Sequence, residues 1–423
     1  MEKFIIYGGE PLNGDVNISG MKNSALPILF GTILTRSTCI IDNLPDISDV
    51  KDSLAILESV GATIRFINTN TVIIDTKNVT PKSPPLELVS KIRASYYLLG
   101  SMLGAFNKAQ VGQPGGCDFG NGRPIDQHIR GFELLGARVS YESNATITLN
   151  AQDGLKGSSV YFDIASVGAT INIMYAAVFA DGVTVIENAA REPHIVDTAC
   201  FLNACGANIM GAGTTTIRIK GVKELKGCTY SIAPDMIEAG TYMVAAAITK
   251  GRVCVKNVIP KHLDAITAKL LEANVPIEIG DSYVTVNPTK NLRSVSIKAN
   301  PYPGFPTDMQ PQLSTLMTVA QGLSSISDGI YSTRFKYIDD LKKMGANIEY
   351  DEKDSQLHII GVSELNGATV KAPDLRAGAA LILAGLAAKG TTTVTNVELV
   401  ERGYDHIIEK LRTLGANIKR EKI

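Results

Sequence analysis

Cys117 stands in the stretch Gln113-Pro-Gly-Gly-Cys117-Asp-Phe-Gly-Asn-Gly-Arg123-Pro-Ile-Asp126, with four glycines between positions 115 and 122. Each glycine gives up extra backbone entropy when it is ordered, so such a stretch is a loop and not the interior of a helix or strand. Pro114 and Pro124 stiffen its two ends and leave the middle free to swing, the design of a lid over a site. A thiol near Arg123 ionises more easily than a free one, which suits it to acid or nucleophile chemistry. A surface thiol without a role is the other reading of the loop context, and both stay open on these residues.

A second set of polar residues stands where apolar helices begin: Met21-Lys22-Asn23, Lys91-Ile-Arg93, Ala165-Ser166-Val167-Gly168, Pro234-Asp235, Pro306-Thr307-Asp308 and Asp374-Leu-Arg376. A helix start presents unpaired N–H groups and partial positive charge, so it attracts anions. Asp235 and Asp374 fit as ordinary caps. Lys22 and Arg93 run against the cap rule and point instead to a bound anion. Arg334 in Ser332-Thr-Arg-Phe and Arg402 in Glu401-Arg-Gly-Tyr precede outer helices, and each taken singly reads as solvated surface.

The elements that must position these groups come from a repeat. Gly61, Gly136, Gly206, Asn274, Gly345 and Gly415 follow similar helical segments such as Leu57-Glu-Ser-Val and Leu411-Arg-Thr-Leu, at spacings of 75, 70, 68, 71 and 70 residues. The chain is therefore six units of about seventy residues. Glycine, or sometimes asparagine, supplies the left-handed residue that ends a helix. Alternating segments such as Thr63-Ile-Arg-Phe-Ile and Thr71-Val-Ile-Ile then predict a hairpin. A Leu-x-Gly turn follows in several units, as in Leu225-Lys-Gly227 and Leu365-Asn-Gly367. Next comes a helix apolar nearly all round, as in Tyr242-Met-Val-Ala-Ala-Ala-Ile, which must be buried.

The sixth unit stops at Ala416-Asn-Ile-Lys-Arg without a second strand, whereas the chain opens with an unpartnered Phe4-Ile-Ile-Tyr. The ends are expected to complete each other. This predicts an α/β (α+β) fold of two similar domains, residues 22–231 carrying the Cys117 loop and residues 1–21 plus 232–423 forming a discontinuous second domain. Each holds three repeated β/α units around buried helices, an inside-out α/β barrel.

Composition limits the function classes. A chain of 423 residues exceeds one ordinary core. A net charge of −1 gives no reason to expect nucleic acid or an acidic membrane as partner. Six scattered cysteines without a C-x-x-C pair argue against a disulfide framework or a structural zinc site. No apolar run approaches the ~20 residues that span a bilayer, and a cytoplasmic location is expected.

Several motifs together carry a family resemblance over essentially the whole chain. They are Ile18-Ser-Gly-Met-Lys22-Asn23-Ser-Ala-Leu-Pro, Pro114-Gly-Gly-Cys117, Arg123-Pro-Ile-Asp126, Ser166-Val-Gly-Ala-Thr, Glu187-Asn-Ala-Ala-Arg-Glu-Pro, Phe305-Pro-Thr-Asp308-Met-Gln, Asp374-Leu-Arg376-Ala and Arg402-Gly-Tyr. The sequence resembles the enolpyruvyl transferases, most specifically the branch of bacterial cell-wall synthesis whose acceptor is UDP-N-acetylglucosamine. The resemblance implies two domains closing on substrate, with the Cys117 loop as lid and no metal or organic cofactor. It implies that Lys22, Arg123 and Arg402 hold the phosphate of phosphoenolpyruvate and that Asn23 orients it. Arg93, Arg123, Pro124, Ile125, Asp126, Gln127, Ala165, Ser166, Val167, Gly168, Asp308 and Ile330 would meet the nucleotide sugar, with Arg334 and Arg376 as further substrate-binding residues. Asp308 would take the proton of the 3′-hydroxyl, and Cys117 would protonate the methylene carbon. Cys117 would also be the target of an epoxide phosphonate such as fosfomycin.

Two departures from the family pattern stand out. The segment Phe119-Gly-Asn-Gly-Arg123 is one residue longer than the usual lid, and Ser95-Tyr-Tyr97 stands where some relatives carry tryptophan. The rival within the family is 5-enolpyruvylshikimate 3-phosphate synthase, disfavoured by the Pro-Gly-Gly-Cys lid. The rival outside it is a non-enzymatic ring such as a nucleic-acid clamp, disfavoured by the balanced charge.

Overall fold

The computed structural model describes residues 2–112, 115, 124–142 and 146–422, so the expectations for Cys117 and Arg123 lie outside the described residues. The six helix-ending positions read from the repeat all adopt the left-handed conformation: Gly61 has φ +112°, Gly136 +97°, Gly206 +105°, Asn274 +65°, Gly345 +91° and Gly415 +97°. The asparagine exception therefore does the work of a glycine.

The repeats run strand, inner helix, strand, outer helix and hairpin, except that in the second the inner helix Tyr97–Phe106 is preceded by short helical segments and its sheet has three strands. In the fifth, Ile297–Ala299 lies parallel to Leu323–Asp328, which pairs antiparallel with Gln356–Ile360 and through it with Asn347–Asp351. Helix Gln310–Met317 fills the parallel crossover, and helix Ile338–Lys343 precedes the hairpin. Parallel neighbours need such a crossover, whereas the antiparallel pair needs only a turn.

The chain forms two compact units, one from Gly20 to Ala233 and the other joining the residues up to Ser19 to those from Pro234 onward. The first contains the inner helices Lys22–Gly31, Tyr97–Phe106 and Val167–Ala177. Gly100 and Gly104 share one face of the second of these helices. A Cβ on Gly100 would fall 2.4 Å from the carbonyl oxygen of Asn172, and one on Gly104 2.5 Å from that of Tyr175. Only glycine permits so close a helix–helix approach.

The second unit is built around Met236–Ile248, Gln310–Met317 and Leu375–Ala387, and every residue of Met236–Ile248 is buried. An inner helix wrapped on all sides needs no polar face, which is why these segments lack the usual amphipathic pattern. The chain's first strand, Glu2–Tyr7, lies between Thr391–Thr395 and Asn417–Lys422 and pairs antiparallel with both, burying Phe4 and Ile6 completely. Asn13–Asn17 runs parallel to Arg252–Lys256 in another sheet of the same unit. No helix among the described residues is long and apolar enough to cross a membrane.

The fold adds a grouping that the sequence reading did not foresee. The cysteines are scattered in sequence, but Cys39, Cys205 and Cys228 come together, with the sulfurs of Cys205 and Cys228 3.4 Å apart. Sequence spacing missed this because the three belong to different repeats.

Candidate active site

In the second unit Asp308 occupies a single 3₁₀ turn, Thr307–Met309, leading into the inner helix Gln310–Met317. Two arginines grip it. Arg334 Nη1 donates to Asp308 Oδ1 at 2.8 Å and to Thr307 Oγ1 at 3.0 Å. Arg376 donates to Oδ2 from Nη2 at 3.1 Å and from Nε at 3.3 Å. Both arginines are at least 95% buried, whereas the Asp308 side chain keeps 26% of its surface. Arg334 is thus not the solvated surface residue that its own surroundings in the sequence suggest. Its loop is drawn inward by Asp328, whose Oδ1 accepts the N–H groups of Ile330 and Tyr331 at 2.8 Å each. Ile330 itself stays 37% exposed.

Burial pushes the Asp308 carboxyl upward, but the charges of Arg376 and Arg334 and their hydrogen bonds outweigh it and hold the group well below the usual carboxylate range. It is ionised, and so cannot protonate a substrate. As a base it is weak until a ligand replaces one of the guanidinium contacts.

Arg376 is the second residue of Leu375–Ala387, whose start is capped by Asp374 Oδ1 accepting from the N–H groups of Arg376 and Ala377. Asp235 likewise caps Met236–Ile248. The ordinary-cap reading of both aspartates holds. Behind Arg376, 5.3 Å from its guanidinium carbon, lies the ring of Tyr404. This tyrosine follows Arg402 by two residues, and its hydroxyl bonds Thr241 Oγ1 at 2.9 Å and Gln312 Nε2 at 3.1 Å.

Asp405 anchors the same loop by accepting from Ser19 Oγ at 2.6 Å. Lys410 Nζ donates to Ser19 Oγ at 2.7 Å and to Glu238 Oε1 at 2.5 Å, and Glu238 Oε2 accepts the Ser19 N–H at 2.9 Å. Burial pushes Glu238 up to about 7 against the pull of Lys410. Tyr404 and Asp405 thus fix the chain just after a half-exposed Arg402, with Glu238 and Lys410 holding Ser19, the partner of Asp405, and the sequence reading missed all four. The available signal was Glu238, a charged residue in an otherwise apolar helix.

In the first unit Lys22 opens the helix Lys22–Gly31, where the preceding Met21 supplies no side-chain cap. Lys22 is 9% exposed, and its Nζ lies 2.7 Å from Asp49 Oδ2. Pro27 lacks the N–H that would bond the carbonyl of Asn23 one turn earlier. Asn23 is half-exposed at that turn.

Arg93 does not begin the inner helix itself but the 3₁₀ segment Arg93–Tyr96 before it, and its guanidinium lies 5.1 Å from the Tyr96 ring. Tyr96 in turn stands 6.2 Å from the ring of His128. Asn172 orients that histidine. Its Oδ1 accepts the Gly100 N–H at 2.8 Å, so its Nδ2 faces His128 Nδ1 at 3.0 Å. Burial, with Arg93 adding to it, pushes His128 down to about 3. The ring is neutral, and because Nδ1 accepts, the proton sits on Nε2.

A Cβ on Gly168 would lie 2.9 Å from His128 Cε1, so only glycine fits at this helix start. Ser166 caps the same helix through Oγ, which accepts the Ala169 N–H at 3.3 Å. Ala165, Ser166, Val167 and Gly168 are all half-exposed. Pro124 and Asp126 are exposed, and Ile125 and Gln127 half-exposed. Gln127 Oε1 is buried and accepts no hydrogen bond from a described residue. The fold therefore gathers Arg93, Tyr96 and Gly168 around His128, which lies in the first turn of the helix that follows Pro124 and Ile125. It places Asp308, Arg334, Arg376 and Tyr404 together in the other unit.

The family model for EPSP synthase (3-phosphoshikimate 1-carboxyvinyltransferase) matches residues 6–411. The UDP-N-acetylglucosamine 1-carboxyvinyltransferase 2 of Clostridium acetobutylicum is 53% identical over 424 residues, covering 100% of both chains. The UDP-N-acetylglucosamine 1-carboxyvinyltransferase of Clostridium botulinum is 53% identical over 422 residues, or 99% of this chain and 100% of that one. Among solved structures, the enolpyruvyl transferase NikO from Streptomyces tendae superimposes with a TM-score of 0.89 at 25% identity, over 100% of this chain and 99% of that one. EPSP synthase from Acinetobacter baumannii, at 19% identity and a TM-score of 0.77 over 100% of both chains, shares the fold. Matched by the family model over residues 6–411 and by full-length relatives more than half identical, the chain belongs to the EPSP synthase family of enolpyruvyl transferases.

Proposed function

We propose that the protein transfers the enolpyruvyl group of phosphoenolpyruvate to the 3′-hydroxyl of UDP-N-acetylglucosamine with release of phosphate, an early reaction of bacterial peptidoglycan synthesis in the cytoplasm. The observation that carries the choice of acceptor is the full-length 53% identity to relatives named for that sugar nucleotide.

On this reading Cys117 gives a proton to the methylene carbon of phosphoenolpyruvate, and the 3′-oxygen adds to the adjacent carbon as its own proton passes to Asp308. The resulting tetrahedral adduct then loses a proton from the new methyl group and expels phosphate, which restores the double bond. Lys22, Arg123 and Arg402 hold the phosphate and Asn23 orients it, charged donors being suited to an anion with several acceptor oxygens. Arg93, Arg123 to Gln127, Ala165 to Gly168 and Ile330 hold the nucleotide sugar. Arg334 and Arg376 keep Asp308 ionised and aimed until the acceptor hydroxyl displaces one of them.

Phosphate release tests the reading with either acceptor. UDP-N-acetylglucosamine is expected to support turnover, and shikimate 3-phosphate to support none. The reverse pattern would make the protein a 3-phosphoshikimate 1-carboxyvinyltransferase.

A further inference from the structure

Three thiols meet in the unit that runs from Gly20 to Ala233, and the proposed transfer uses none of them. Cys39 lies in the strand Thr38–Asp42, Cys205 follows the helix Pro193–Ala204, and Cys228 immediately precedes the strand Thr229–Ser231. That last strand pairs parallel with the strand of Cys39. Cys39 is fully buried, Cys205 is 2% exposed and Cys228 is half-exposed. The sulfurs of Cys205 and Cys228 stand 3.4 Å apart, and Cys39 exchanges hydrogen bonds with both. Two sulfurs at this separation need to move little more than an ångström to reach the ~2 Å of a bond.

We propose that Cys205 and Cys228 form an oxidisable dithiol that a hydroperoxide converts to a disulfide. Cys228 is the half-exposed member, so it meets the oxidant. Its sulfur attacks the distal oxygen of the hydroperoxide and becomes a sulfenic acid while the alcohol, or water from hydrogen peroxide, departs. The sulfur of Cys205 then attacks that of Cys228. The S–S bond forms, the S–O bond breaks, and the hydroxyl leaves as water with the Cys205 proton. Two thiols lose two electrons in all, and the peroxide accepts them.

Cys39 is hydrogen-bonded to both members of the pair. These hydrogen bonds from Cys205 and Cys228 outweigh burial and lower its pKa, so Cys39 holds the two sulfurs in place as a hydrogen-bond acceptor, while the Cys228 proton leaves with the departing alcohol or water. The disulfide would join residues 23 apart, tying the end of one outer helix to the start of a strand. Cys200, exposed on the same helix, and Cys254, on a strand of the other unit, have no second thiol recorded beside them and serve as internal controls.

The test uses the full-length Cys117→Ser protein, so that the loop thiol takes no part. It is treated with hydrogen peroxide, alkylated, and digested without reduction. The expected result is a peptide pair joined through Cys205 and Cys228, formed at least tenfold faster than any oxidation of Cys200 or Cys254 and undone by dithiothreitol. Adding Cys205→Ser should abolish the joined pair and leave Cys228 to proceed to sulfinic acid. The proposal is overturned if Cys228 goes to sulfinic acid with Cys205 present, if Cys228 joins Cys39 instead, or if both thiols remain alkylatable after Cys200 has been oxidised.

Discussion

A carboxylate held between two guanidinium groups stays ionised wherever the fold survives, and for the same reason it is a reluctant base. Asp308 is in that position, so the pH profile of kcat/KM for the free enzyme is expected to show no limb from Asp308 above about pH 4, the ordinary aspartate value. An acidic limb near neutral pH that disappeared in Asp308→Asn would contradict this. The same substitution should lower kcat by ~10²- to 10⁴-fold with little change in KM, the pattern of a group that acts in the transition state. Because the folded pKa lies below the unfolded one, the stability contributed by the pair is present above about pH 4 and is lost as pH falls further. Replacing Arg376 by methionine leaves Asp308 with Arg334 alone. Its pKa should rise, and an acidic limb should move up into the measurable range of the same profile.

The elements that carry these residues were largely legible in the sequence, because a helix end needs a left-handed residue and an enclosed helix needs no polar face. Gly61 and Asn274 announced the first and Tyr242 to Ile248 the second. What could not be read was which loops converge, since the repeat fixes the order of elements and not the side chains that meet across them. Arg334 reads as surface until Asp328 is seen folding its loop inward, and Tyr404 gives no sign of reaching both Arg376 and Gln312. Tyr404→Phe keeps the ring and removes the hydroxyl between Thr241 and Gln312. It is expected to cost about 1–2 kcal/mol in urea denaturation, and an unchanged midpoint would show that the hydroxyl is not an anchor. Glu238 gives a pH signature of opposite sign to that of Asp308. Its folded pKa is raised to about 7, so the folded state binds a proton that the unfolded state has already released, and stability falls as pH rises from about 4.5 to 7. Glu238→Gln should be free of that dependence, so its melting temperature relative to the unmodified protein should rise across this interval. A constant difference would mean that Lys410 keeps Glu238 charged throughout.

Across the whole molecule one repeat has been used six times, and the first residues of the chain complete a sheet otherwise made from its last. Removing residues 1–17 would take Glu2–Tyr7 from the interior of one sheet and Asn13–Asn17 from another, exposing the partners of Phe4 and Ile6. The unit that includes Pro234 onward should then melt at lower temperature and become sensitive to protease, while the unit from Gly20 to Ala233 keeps its transition. Two unchanged transitions would contradict this. The transfer chemistry is tested most directly by running the reaction in deuterium oxide with phosphoenolpyruvate and UDP-N-acetylglucosamine and weighing the product. Addition followed by elimination predicts an enolpyruvyl ether of the sugar nucleotide with deuterium on its vinyl carbon, because that carbon gains a solvent-derived proton and later gives one up. An ether without deuterium, or no ether of the sugar nucleotide at all, would contradict it.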